Sequence, residues 1–91
     1  MSADNGIYVA KFPNGEFRVG HGFASNIIEM EEDLLTGYWR NKEMDIIWGE
    51  SPVFTNQGEA IDHAFKVEQE YGWTEYGVCI VRMPFNFGEN K

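Results

Sequence analysis

The tripeptide Pro13-Asn14-Gly15 constrains this chain more than any other feature, because Asn-Gly between two β-prone segments is the strongest short-range hairpin signal. Residues 7–12 and 16–23 flank it. With Asn14-Gly15 as a two-residue loop, Phe12 faces Phe17, Ala10 faces Val19 and Tyr8 faces His21, on the side expected to meet the core. The opposite side would pair Lys11 with Arg18 and Ile7 with Gly22 and stay mostly exposed.

Ser25 and Asn26 next offer helix N-caps, and Asn26 with Glu29 has capping-box spacing. Ile27, Met30, Leu34 and Tyr38 then recur at helical intervals, with an end at Gly37 or near Trp39. Residues 41–51 are less regular, and the apolar insert Ile46-Ile47-Trp48 fits a short strand or a binding loop. Val53-Phe54 reads as a short extended segment. Asn56 and Glu59 repeat the capping-box spacing, predicting a helix over Gln57–Tyr71 closed by Gly72. Residues 74–83 are apolar on both alternating faces, the pattern of an interior strand. The aromatic tail Phe85-Asn86-Phe87 is expected to be tied down against the fold. The whole predicts one α+β domain over residues 1–91, an antiparallel sheet of three to five strands with two helices on one face. A sheet covered on one side leaves apolar surface open, so a homo-oligomer is expected.

Composition narrows the partners. Fifteen acidic residues against seven basic ones disfavour duplex nucleic acid, which is held by Lys and Arg on phosphates. No apolar run is long enough to span a bilayer and the start is unlike a signal peptide, so no membrane association is expected. Cys79, the single cysteine, can form no internal disulfide and fits a reducing cytoplasm, most simply as a core thiol. Two histidines and scattered carboxylates match no metal-binding spacing and there is no glycine-rich phosphate loop, so no cofactor is expected.

The opening Met1-Ser2-Ala3-Asp4-Asn5-Gly6-Ile7-Tyr8, then Arg18-Val19-x-His21, and later Glu59-Ala60-Ile61 with Glu75-Tyr76-Gly77-Val78, resemble a group of short bacteriophage proteins. That resemblance implies phage origin and a place in the host cytoplasm, and it brings no catalytic residue with it. By analogy, small phage proteins of this kind often antagonise bacterial immunity.

Binding rather than catalysis is the expected mode. His21 lies in a hairpin strand before Gly22, where a backbone can approach a ligand, or it simply packs beside Tyr8. Trp39 and Arg40, with Trp48, supply aromatic faces and a cation, which either stack a base and hold its phosphate or complete the core with the cation at a helix C-terminus. Arg82 alternates in phase with Tyr76, Val78 and Ile80 on an apolar face and needs an anionic partner, either Glu75 or Glu16 or a ligand phosphate. With Arg18 these residues make the expected pocket for a small nucleotide immune signal. The other reading is an acidic inhibitor of a host defence protein, of nucleic-acid-mimic or anti-CRISPR type, whose Glu29, Glu31, Glu32 and Asp33 engage a basic surface.

Overall fold

The computed structural model of the chain describes residues 5–23, 46–72, 74–83 and 86–87. The expected first helix and the acidic run from Glu29 to Asp33 lie outside them. Strands β1 (Asn5–Lys11) and β2 (Phe17–Phe23) form the hairpin read from Pro13-Asn14-Gly15, but in a register one residue away from the expected one. Lys11 faces Phe17, Val9 faces Val19, Tyr8 faces Gly20 and Ile7 faces His21. A two-residue loop would require Pro13 to donate a ladder hydrogen bond, and proline has no N–H. Phe12 closes the hairpin instead, donating to the Glu16 carbonyl at 3.0 Å, with Gly15 donating back to Phe12 at 3.0 Å. Gly15, at φ 87°, takes the left-handed position that a three-residue loop needs.

That shift exchanges the faces of β2 relative to β1. Phe17 and Val19 join Ile7 and Val9 on one side, while Gly20 joins Tyr8 and Ala10 on the other. Both sides are covered. The fifteen-residue helix α1 (Gln57–Tyr71) buries Ala60 and Ala64 against Ile7, Val9, Phe17 and Val19. On the opposite side Trp48 packs with Tyr8, Ala10, Phe12, Val81 and Met83, carried there by a helical turn at 46–48. The expectation of a mostly exposed second face is corrected by this layer.

Strand β3 (Val78–Arg82) lies on the other edge of β1, giving the order β2-β1-β3. The fold is therefore α+β with a three-stranded mixed sheet: β1 and β2 are antiparallel, β1 and β3 parallel. Parallel neighbours need a long crossover, which the chain between β1 and β3 supplies. The interior strand is β1, buried from Gly6 through Ala10, and not the C-terminal strand. Among the described residues β3 has β1 as its single neighbour. Its double-sided apolar pattern reflects the layers on its two sides, although they bury Val81 alone of this strand and leave Ile80 46% exposed.

The local signals for α1 hold. Asn56 Oδ1 accepts from the Glu59 backbone N–H at 3.1 Å, and Gly72, at φ 82°, donates to the Gln69 carbonyl at 3.1 Å. Phe54 forms the short extended contact read from sequence, exchanging both backbone hydrogen bonds with Phe17 at 2.7 and 2.9 Å. Removal of the Asn56 cap by Asn56→Ala is expected to lower stability by about 1 kcal/mol, measured by urea denaturation.

Candidate functional site

Strand alternation decides where each expected ligand residue goes. His21 points to the α1 side of β2, and Arg18 to the Trp48 side. Trp48 is fully buried, and its indole N–H donates to the Tyr8 carbonyl at 3.0 Å. Its expected role as a stacking surface is replaced by a place in the core. Arg18 lies with its guanidinium carbon 3.8 Å from the Phe87 ring centre and donates from Nη1 to the Trp48 carbonyl at 3.3 Å. Its Nε is buried without a hydrogen-bond partner. The tail is thus tied to the fold as expected, for Phe87 also meets Phe12 edge-on and Asn86 accepts from the Asn14 backbone at 3.0 Å.

Arg82 is exposed at the hairpin end, in a shallow hollow of about 240 Å³ with Lys11, its register neighbour on β1. Neither Glu75 nor Glu16 pairs with its guanidinium. His21 pairs with Ile7 and Arg82 with Lys11, four residues on, which separates them by about 13 Å along β1 alone. Trp39 and Arg40 lie outside the described residues. The six residues expected in one pocket are therefore not brought together among those described.

His21 remains as the centre of a real groove. The cavity, about 840 Å³, runs along the outer side of β2 between α1 and the 46–52 segment, with His21, Phe23, Ile46, His63, Glu70 and Tyr71 among its walls. Its volume falls within the roughly 300–1,000 Å³ usual for small-molecule sites. The Tyr71 ring stacks on the His21 imidazole at 4.2 Å between centroids and 12° between planes, while Phe23 meets it edge-on at 5.4 Å. Asn5 fixes the imidazole from behind. The Asn5 Oδ1 accepts from the Glu75 backbone N–H at 3.2 Å, so the Nδ2 group is the donor that meets His21 Nε2 at 3.0 Å. In the neutral ring the proton then sits on Nδ1, which has no hydrogen-bond partner among the described residues.

The arrangement presents two stacked rings, one ring N–H donor and two carboxylates, Glu50 and Glu70, in the wall. Among the described residues no lysine or arginine is part of that wall. Among the described residues no three metal-ligating side chains come together. Tyr71 escaped the sequence reading because its position continues the apolar stripe of α1. The usable signal was its place in the last turn, where a helix can overhang its sheet and leave an aromatic half in solvent. Cys79, read as a core thiol, is partly buried against the Trp48 cluster, with its Sγ 3.6 Å from the Tyr76 carbonyl. No helix among the described residues is long and apolar enough to cross a membrane. Comparison with protein-family models, curated proteins and solved structures found no match.

Proposed function

We propose that this chain is a non-catalytic binding protein that sequesters a nucleotide-type ligand, with the ring of the base held in the groove beside β2. The observation that carries this reading is the stacked His21–Tyr71 pair set in a cavity of small-molecule size. A base stacked on an aromatic side chain gains about 1–3 kcal/mol and needs no sequence-specific contact. The Nδ1–H of His21 adds one directed donor, and Asn5 keeps it in that tautomer. Sequestration suits this histidine better than acid–base catalysis, since Asn5 already engages Nε2 and no carboxylate among the described residues is hydrogen-bonded to the ring. In a phage protein, holding such a ligand would silence a nucleotide-signalled defence.

The described wall has carboxylates and no lysine or arginine, which favours a pose with the phosphates turned out of the groove. Affinity should then follow the base and vary little with phosphate number. The test incubates the protein with a panel of nucleosides, nucleotides and cyclic nucleotides and identifies the retained and released molecules by mass spectrometry. Intact retention, weakened about 5- to 150-fold by Tyr71→Ala, is the expected result. A chemically changed product would replace the reading with an enzyme, and no retention at all would remove it.

A further inference from the structure

Among the described residues the outer edge of β3 has no strand partner, and it lies on the side of the sheet away from the groove. Ile7 N–H donates to the Gly77 carbonyl and Met83 N–H to Lys11, so the odd-numbered residues of this strand turn their backbone toward β1. Val78, Ile80 and Arg82, in the opposite phase, turn theirs outward. Apolar side chains flank that edge: Ile80 is 46% exposed, Tyr76 52% and Phe65 50%. Phe65 belongs to the flank of α1 that faces β3, because helical spacing places it with Glu68, whose carboxylate is 3.3 Å from where a side chain on Gly77 would begin. Val78–Arg82 contains no proline and no inward lysine, the residues that usually protect an edge strand from pairing.

Charge identifies what covers it. Arg82 sits beside Lys11 in register, two like charges on neighbouring strands, and its guanidinium has no described acidic partner. At the other end of the same strand lies the Glu68 carboxylate. An antiparallel copy of β3 centred on Ile80 sets Val78 opposite the second copy's Arg82. Arg82 then comes within reach of the second copy's Glu68, and the same contact forms twice by symmetry. That register also places the outward N–H and C=O groups of Ile80 opposite one another, as a hydrogen-bonded antiparallel pair requires.

We propose that β3 is a dimerisation edge, pairing with β3 of a second copy about a two-fold axis at Ile80 to make a continuous six-stranded sheet. The pairing satisfies three outward backbone positions on each copy and covers Ile80, and it gives Arg82 an acidic partner that it has nowhere among the described residues. It is independent of ligand binding in the groove.

The test is sedimentation equilibrium of the full chain at high-micromolar concentration, with circular dichroism to report folding. The expected result is a dimer that becomes monomeric in Ile80→Lys with its circular dichroism spectrum kept, because Ile80 is half exposed. Arg82→Glu and Glu68→Lys should each weaken association about tenfold or more, and the two together should restore it, an outcome that loss of folding cannot mimic. A monomeric wild-type chain, or a dimer unaffected by Ile80→Lys, would overturn the proposal.

Discussion

Trp48→Ala is expected to lower the stability of this protein by about 3–5 kcal/mol, the usual range for truncating a large buried aromatic residue. Trp48 is among the largest fully buried side chains and joins three segments far apart in sequence: Tyr8 to Phe12, the 46–48 turn, and Val81 to Met83. Its removal leaves a cavity beneath the sheet and strips the Tyr8 carbonyl of its indole donor. For a domain whose total stability is about 5–15 kcal/mol, that is a large share, and a fall in the melting temperature of about 15–30 °C should follow. Trp48→Phe separates the two contributions, for it keeps most of the apolar volume and loses the N–H. An intermediate loss of about 1–3 kcal/mol is expected by chemical denaturation. A shift below about 1 kcal/mol in the alanine variant would contradict the placement of Trp48 in the core.

Gly20→Ala is expected to be nearly as damaging, although it adds a single methyl group. The new carbon would lie 1.9 Å from the Ile47 carbonyl oxygen and 2.7 Å from its carbonyl carbon. These are backbone atoms, so no rotamer change relieves the overlap. The 46–48 turn has to move as a unit and take Trp48 out of its packing. A loss of about 3 kcal/mol is expected, at the upper end for overpacking. Gly22→Ala is the control two residues away, where the nearest atoms are side-chain carbons of Tyr8 and Ile47 at 3.4 and 3.5 Å. It should change stability by less than about 0.5 kcal/mol. Because Gly20→Ala and Trp48→Ala disturb the same contact, their combined effect should fall well short of additivity.

The elements set by short-range chemistry were legible in sequence. Asn56, Glu59 and Gly72 bounded α1 where the structure places it. Pro13-Asn14-Gly15 marked the hairpin, and the same tripeptide held the missing information about register, since Pro13 cannot close a two-residue loop. The run Ile7-Tyr8-Val9-Ala10, four consecutive apolar residues, was the sign of a strand covered on both faces. Thr74 to Met83 showed a similar pattern, and local sequence does not distinguish the middle of a sheet from an apolar edge. Which strand sits centrally depends on pairings across most of the chain. Parallel pairing of β1 with β3 has no local signature at all.

Of the six residues expected to hold a ligand, His21 alone among those described lines the candidate groove. His21 was found because histidine before a glycine in a strand is conspicuous, while the rings around it come from other elements. Trp48 was read as a ligand surface because the segment around it lacks periodicity, yet the absence of a glycine side chain at position 20 is what lets that segment approach and bury the indole. Arg18 and His21, three residues apart, fall on opposite faces of the hairpin by strand alternation, as read from sequence, so one pocket could not hold both from the same side of the sheet.

The central position of β1 also bears on how the chain is made. Its hairpin partner β2 follows at once and can join it within microseconds, but Val78 of β3 arrives about 70 residues after Ile7. At ribosomal speeds of about 5–20 residues per second, that interval is about 4–14 seconds. Throughout it the most apolar of the described strands has one edge unpaired, while its faces are covered in turn by Trp48 and then α1, so this core is completed only as β3 leaves the ribosome.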